Sequence, residues 1–539
     1  MKKLYYLFVV FIITSCTKKE QVDLIVTNAK AYTVNDNFET VEAFAIKDGK
    51  FVETGSSETV LNKFEATNTL DAKGQTIVPG IIDAHCHFYN LGLQKLRVDL
   101  VATKSFEDVV KRVVDFQNQR KTNFIIGRGW DQNDWEVQQF PNKLLLDNLF
   151  PDTPVALTRI DGHAMLCNQK ALDLAGITKT TKIEGGEIVL EDGELSGILI
   201  DNPMEIVEAI FPKPNRQQQI DALMEAQKIC FDLGLTSVDD AGLNRSQIEL
   251  IDSLQNTGDL NMRVYAMLSN TASNLDYYLP KGIIKTEKLN VRSVKVYADG
   301  ALGSRGAVLK KEYSDKHDHF GAMVIGPNAY EKLAERIANS DYQMNTHAIG
   351  DSANRHVLKT YKNTLANKTD RRWRVEHAQV ITDNDFEYFE NDNIIPSIQP
   401  THATSDMYWA GERLGEARVK GAYAYKDLLN RHGRVALGTD FPVERVSPFL
   451  TFYAAVARQD LDKFPEGGFQ MENALTREET LKGMTIWAAY SNFEEAEKGS
   501  IEPGKFADFI ILDKNIMEVP VYDIPNIKVQ ATYVDGVVQ

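Results

Sequence analysis

The chain has 539 residues, 43% of them hydrophobic and 25% charged, with a formal net charge of −16. At roughly 150 residues per domain this allows several domains with cores that need no disulfide support. The acidic balance, without a long basic run, argues against a nucleic-acid partner, which would need its phosphates neutralised.

Lys2 and Lys3 precede an apolar run from Leu4 to Ile13, followed by Thr14-Ser15-Cys16. The run is too short to span a bilayer and has the make-up of a signal peptide's apolar region, which predicts a signal peptide over residues 1–15. Small residues directly before Cys16 resemble a bacterial lipoprotein signal. That resemblance implies cleavage before Cys16, lipidation of this cysteine, a polar tether over 16–21, and export to a bacterial membrane with a lipid anchor. Ordinary secretion with a coincidental cysteine is the alternative. Cys86, Cys167 and Cys230 remain, an odd and scattered set that forms no disulfide framework.

Residues 22–78 read as short strands with turn signals, including a hairpin of 43–47 and 50–53 around Asp48-Gly49. The segment is too small to bury a good sheet alone. The C-terminal stretch 492–539 offers matching strands around 507–513 and 529–534. A small β-sandwich built from both chain ends is therefore expected.

Residues 79–491 alternate strand and helix signals, the pattern of a parallel sheet covered by helices. An apolar run ending in Ile81-Ile82-Asp83-Ala84-His85-Cys86-His87 gives the first strand. Seven more follow at 235–239, 263–267, 294–297, 343–347, 374–377, 394–398 and 434–440. Eight strands predict an α/β protein with a TIM-like (β/α)8 barrel, whose site lies at the C-terminal strand ends. The stretch between the first two strands is too long for one helix. It contains a hairpin signal at 188–199 and is expected to be an α+β insertion at about 100–205.

The first strand ends in His-x-His. Residues two apart on a strand share a face, so His85 and His87 aim two imidazoles at one point, about 7 Å apart at the Cα atoms. That suits two ligands on one metal, with zinc the common partner of imidazole. Cys86 then points away and is expected to pack. Further strand ends carry Lys295, His347, His377 and Asp440. Each alone has a bland explanation, but six such groups at the ends of five strands predict a metal site. His317 and His319 follow no apolar strand and read as a solvated loop.

The Val78-Pro79-Gly80-Ile81-Ile82-Asp83-Ala84-His85-Cys86-His87 block resembles the amidohydrolase superfamily. Gly129-Trp130-Asp131-Gln132, Arg159-Ile160-Asp161-Gly162-His163, Lys295 to Arg305, Thr346-His347-Ala348-Ile349-Gly350-Asp351, Val375-Glu376-His377 and Gly438-Thr439-Asp440 resemble its YtcJ-like group, which includes N-substituted formamide deformylases. The resemblance implies a metal-dependent amidohydrolase that cleaves a C–N bond of a small molecule with metal-activated hydroxide. His85, His87 and Asp440 would hold one metal, and His347 and His377 a second. Lys295 would bridge them only as a carbamate, because an ammonium is repelled by two dications; an unmodified Lys295 points instead to a site with one zinc. Asp440 would also be the catalytic acid–base, taking a proton from water and passing it to the leaving nitrogen.

His163 and His402 are candidate substrate groups able to polarise a carbonyl oxygen. Trp130 is a candidate pocket wall or packing residue. Arg305 is a candidate for binding a substrate carboxylate, or for pairing with an acid. Ester hydrolysis by the same activated water, or a metal-stabilised binding lipoprotein without turnover, are the competing readings. The oligomeric state is not legible.

Overall fold

The computed structural model describes residues 19–539. Residues 1–18, with the apolar run and Cys16, lie outside the described residues. Among the described residues, no helix is long and apolar enough to cross a membrane.

Eight parallel strands form the barrel. In chain order they are β1 (Ile81–Cys86), β2 (Leu235–Leu243), β3 (Arg263–Ser269), β4 (Leu289–Tyr297), β5 (Gln343–His347), β6 (Trp373–Glu376), β7 (Ile394–Ile398) and β8 (Ala436–Leu437). Each pairs in parallel with the next, and β1 pairs with β2. Their sequences are continuously apolar or buried, as strands covered on both faces must be.

β8 is shorter than the expected 434–440, because the chain turns toward β1 after Leu437. There Asp440 N donates to His85 O at 2.7 Å, and His87 N donates to Phe441 O at 2.8 Å. These bonds bring the two ends of the sheet together. Gly438 makes this approach possible, since a Cβ at that position would lie 2.5 Å from His85 N. Asp83 adds a clasp, accepting from Thr439 N at 3.0 Å and Thr439 Oγ1 at 2.7 Å.

The opposite mouth is closed by the segment following the last barrel helix. Ser491 O accepts from Gln343 at 2.9 Å, and Asn492 donates to Asp239 at 2.7 Å. Glu494 lies within 2.8 Å of Lys285 and 2.7 Å of Lys498. Lys498 in turn donates to Ser237 Oγ at 3.2 Å.

Both chain ends share one sheet outside the barrel. Phe509–Leu512 pairs antiparallel with Thr76–Pro79, which pairs parallel with Lys30–Tyr32. A four-stranded sheet of Glu20–Thr27, Ala43–Lys47, Lys50–Gly55 and Phe64–Asp71 faces it. Phe44, Phe51 and Phe509 meet between the sheets. Arg263 of β3 reaches this unit, donating to both carboxylate oxygens of Asp508 at 2.6 and 2.9 Å.

A second six-stranded sheet lies between β1 and β2. Its order is 186–191, 194–201, 164–167, 155–159, 125–130 and 98–99. Helix Phe106–Arg120, capped by Ser105, covers one face with Val109, Val110 and Val113. Helices Gln169–Ala175 and Asn202–Glu208 cover the other. This layer stands at the C-terminal mouth of the barrel, and its loops reach the cavity there. Cys86, Cys167 and Cys230 are buried free thiols.

Candidate metal centre and active-site cavity

One cavity of about 1110 Å³ opens over the C-terminal strand ends, lined by His85, His87, Lys295, His347, His377 and Asp440. The hydrogen bonds of the three histidines fix which nitrogen each presents. His85 Nδ1 is 2.6 Å from Glu376 Oε2. An ionised carboxylate only accepts, so His85 donates from Nδ1 and keeps the lone pair on Nε2. His87 Nδ1 meets Ala241 O at 3.0 Å, and His377 Nδ1 meets Gln399 Oε1 at 2.7 Å. All three present Nε2 lone pairs in the same way.

These lone pairs face Asp440. Its Oδ1 is 3.3 Å from His87 Nε2 and 3.7 Å from His85 Nε2. The ligand atoms of His85, His377 and Asp440 lie within 4.8 Å of one another. Asp440 Oδ1 is buried and has no hydrogen-bond donor among the described residues. Imidazole lone pairs set against a carboxylate oxygen repel unless a cation stands among them. Nitrogen and oxygen donors of this kind suit zinc. Burial first, then the neighbouring cationic groups, hold His85 down to about 4 and His377 well below the usual imidazole range. The backbone is unusual at two of these residues. His377 has φ +72° and Asp440 φ +62°, in the left-handed region that costs non-glycine residues energy and recurs at functional sites.

Lys295 Nζ sits 2.9 Å from His85 Nε2, and burial lowers its pKa to about 8. His347 stands beside this group without joining it. Its ring centroid is 4.6 Å from that of His377, while its Nε2 lies 3.5 Å from Gly300 O and 3.9 Å from Asp299 Oδ1. The donor atoms of His377 thus cluster with those of His85 and Asp440, while its ring also lies against that of His347.

His163 arrives on the loop between the insert strands 155–159 and 164–167. Its ring is 4.9 Å from that of His347, and its Nδ1 is 2.6 Å from Asp201 Oδ1. Burial opposes its charge, but Asp201 outweighs burial and raises its pKa. Asp201 itself holds a φ of +56°. His402 lines the same cavity, with Nε2 3.7 Å from Asp440 Oδ2 and its ring stacked on that of His377 at 5.7 Å.

Two expected substrate groups lie elsewhere. Trp130 is not in the cavity wall. It packs in the insert core against Trp135 and Phe140, and its indole N–H donates to Leu157 O at 2.7 Å. A bulge explains this. Regular alternation would put Trp130 on the face of Arg128, but the pairing shifts register between them, at Gly129 with φ +115°, and turns the indole into the apolar layer of Ile125. Arg305 also lies outside the wall, paired with Asp315 at 2.9 Å through Nη2. The acid ten residues on meets the cation first.

Several residues that matter had drawn no assignment. Glu376 orients His85 and is itself held by Arg374, whose Nε donates to it at 2.7 Å. Arg374 also reaches Asp239 at 2.8 Å and Ala84 O at 2.6 Å, across the barrel interior. Burial would raise Glu376, but Arg374 and His85 bring it down to about 2. The signal was present in Arg374-Val375-Glu376. Opposite charges two apart on a fully buried strand share a face and must pair. Asp299 accepts from Val308 N, Ile349 N and Gly350 N at 2.8 to 3.0 Å, tying the loops after β4 and β5 together. Only the fold brings those loops together.

Comparison with known proteins agrees with this site. The family profile described as "Amidohydrolase family" matches residues 68–539. The chain is 33% identical to Protein LONG AFTER FAR-RED 3 of Arabidopsis thaliana, covering 95% of this chain and 91% of that protein. It is 29% identical to the putative amidohydrolase YtcJ of Bacillus subtilis (strain 168), covering 94% and 97%. It is 24% identical to the N-substituted formamide deformylase of Arthrobacter pascens, covering 96% and 98%. A solved structure, an uncharacterised metal-dependent hydrolase from Pyrococcus horikoshii, superposes with a TM-score of 0.75 at 28% identity, covering 92% of this chain and 99% of that one. The profile, the full-length relatives and the buried nitrogen–carboxylate cluster all point one way: the chain belongs to the amidohydrolase family of metal-dependent hydrolases.

Proposed function

We propose that the chain hydrolyses a carbon–nitrogen bond of amide type in a small molecule, with Asp440 moving the proton. The observation that carries this reading is Asp440 Oδ1, buried, without a donor, and set against the Nε2 atoms of His85 and His87. The name of the Arthrobacter relative, a deformylase, supports the choice of bond.

Zinc held by His85, His87, His377 and Asp440 would supply water with a pKa near ~7 and a Lewis acid for the carbonyl oxygen. The remaining steps belong to the side chains. Asp440 accepts the proton of the attacking water and returns it to the departing nitrogen, without which an amine leaves poorly. His163, oriented by Asp201, whose contact favours the protonated ring, donates a hydrogen bond to the carbonyl oxygen as charge builds there. Lys295 is the amine nearest the cluster, and a pKa of about 8 leaves a fraction of it neutral near pH 7. That free amine is the form that adds carbon dioxide, so Lys295 is the residue proposed to be carboxylated, and as a carbamate it would be able to help hold a second ion with His347.

The test is a panel of N-acyl amines, formamides, cyclic amides and esters, offered to zinc-replete protein. Turnover of at least one amide or formamide is expected. Hydrolysis of esters alone, or binding without any turnover, overturns the reading.

We also infer export and a lipid anchor on Cys16, from the apolar run and the small residues before that cysteine. Cys16→Ala should abolish lipid labelling and release the protein from membranes. Unchanged labelling and retention would rule the anchor out.

A further inference from the structure

The cavity wall contributed by the insert carries a cation that the chemistry above does not use. Arg128, on the strand Ile125–Trp130, lines the cavity together with Arg97, which follows the short helix after β1. The Arg128 side chain makes one hydrogen bond, from Nη2 to Ile160 O at 2.9 Å. Its Nε is buried without a partner. Neither guanidinium has a carboxylate within 4.0 Å among the described residues. Three other arginines show the contrast. Arg159 is closed off by Asp131 and Asp161, Arg305 by Asp315, and Arg374 by Asp239 and Glu376.

Two like charges share this corner, for the charge of Arg128 acts on Arg97 after burial in disfavouring its protonated form. The loop carrying His163 runs beside the Arg128 fork. A Cβ at Gly162 would lie 3.2 Å from both Nη atoms, so the glycine lets the loop pass with the fork left open. The field of Asp440 reaches Arg128, which places the fork in electrostatic range of the proposed reaction centre.

We propose that Arg128, with Arg97 beside it, is an anion-binding subsite of this cavity, and that the amide substrate carries a carboxylate which this fork receives. The proposal rests on the amide-hydrolase reading for the site and adds the class of substrate. A planar carboxylate matches a guanidinium fork with two parallel N–H···O bonds and satisfies donors that are otherwise costly to bury. The surroundings select a monoanion. Glu208 acts on both arginines, and Asp161 and Asp440 act on Arg128, so a dianionic phosphate would meet three nearby negative groups.

The test is calorimetric binding to zinc-loaded full-length protein. The probes are N-acetylglycine and N-acetylphenylalanine, each against its neutral N-methylamide. At least one acid should bind ~10-fold or more tightly than its neutral partner, the scale of a charge-assisted hydrogen bond. Arg128→Gln should remove most of that preference while metal content stays unchanged. Arg128→Lys, which keeps the charge without the fork, should retain only part of it. Should Arg128→Gln not fold, Arg128→Lys and Arg97→Gln carry the test, and each must lower the acid preference at least ~3-fold. Equal binding of acids and neutral amides to the wild type overturns the proposal, as does a preference untouched in all variants. Because binding is read without turnover, selective binding with no hydrolysis would sink the amide-hydrolase reading alone. Hydrolysis with no acid preference would sink the subsite alone.

Discussion

Asp440 combines two demands on one side chain: it faces the ligand nitrogens through Oδ1 and His402 through Oδ2. Asp440→Asn keeps the size and one oxygen but removes the base. Turnover of any true substrate should fall by at least ~100-fold, the usual scale for a general acid–base. Zinc content must be measured in the same sample, under saturating zinc, to separate proton transfer from weaker metal binding. Near-normal turnover by fully metallated protein would move the proton shuttle to His402. Glu376 acts one bond further out, by fixing the tautomer of His85. Glu376→Gln should weaken zinc affinity roughly 10- to 100-fold, as loss of a ligand's hydrogen-bond partner commonly does. Competition with a chelator measures this directly, and an unchanged affinity would show that His85 needs no such partner.

At the scale of elements, the segment Ser491–Lys498 seals the lower barrel mouth through polar contacts rather than apolar ones. Glu494 is the buried acid of that seal. Burial would raise its carboxyl, yet Lys498 and Lys285 bring it from the ordinary 4.5 to about 2. A carboxyl depressed on folding adds stability that is complete above its unfolded value and fades as pH falls toward its folded one. Glu494→Gln should therefore lower stability by about 3 kcal/mol at pH 7, the scale of breaking a buried pair. The difference from wild type should shrink between pH 4.5 and 2, where Glu494 protonates in the wild type too. Thermal unfolding across pH would show it, and a pH-independent difference would contradict the assignment. The insert acts as a second wall rather than a separate lobe: His163, Asp161 and Arg128 all enter the barrel's cavity from it. His163→Ala should lower catalysis while metal content stays near normal. Unchanged kinetics on a true substrate would make His163 structural.

At the scale of the whole molecule, the barrel and the two-ended β unit are joined by a buried charge contact. Arg263 of β3 pairs with Asp508, stacks over Phe506 at 4.1 Å and also meets Asp535. Asp508→Ala would leave a buried guanidinium short of its main partner. A loss of about 3–5 kcal/mol is expected, seen as a lower midpoint of thermal unfolding. Replacing both partners by apolar residues of similar volume should recover much of that loss, because the cost lies in stranding a charge. No recovery would mean that the pair specifies docking rather than merely surviving burial.

The sequence by itself determined the parts that follow from short-range periodicity. Strand alternation places His85 and His87 on one face, and apolar runs ending in Lys295, His347, His377 and Asp440 mark strand ends. Those two facts, with the count of eight strands, were enough to predict the barrel and the end of it that carries the site. That the two chain ends share a β unit was legible because 22–78 reads as too small to bury a good sheet alone; in the structure this segment does complete one four-stranded sheet, and the second sheet is the one that needs both ends. What only the tertiary structure decided was which charge meets which. Arg305 and Arg128 are both cations in polar loops or strand ends, yet Asp315 neutralises the first, and among the described residues no carboxylate lies within 4.0 Å of the second. Trp130 reads equally as a pocket wall or a packing residue, and the insert's own core decides for packing. That His377 meets the donor atoms of His85 and Asp440 as well as the ring of His347 depends on the loop path after β5 and β6. Electrostatic partnership falls off over distances shorter than a residue's reach, and periodicity does not encode it.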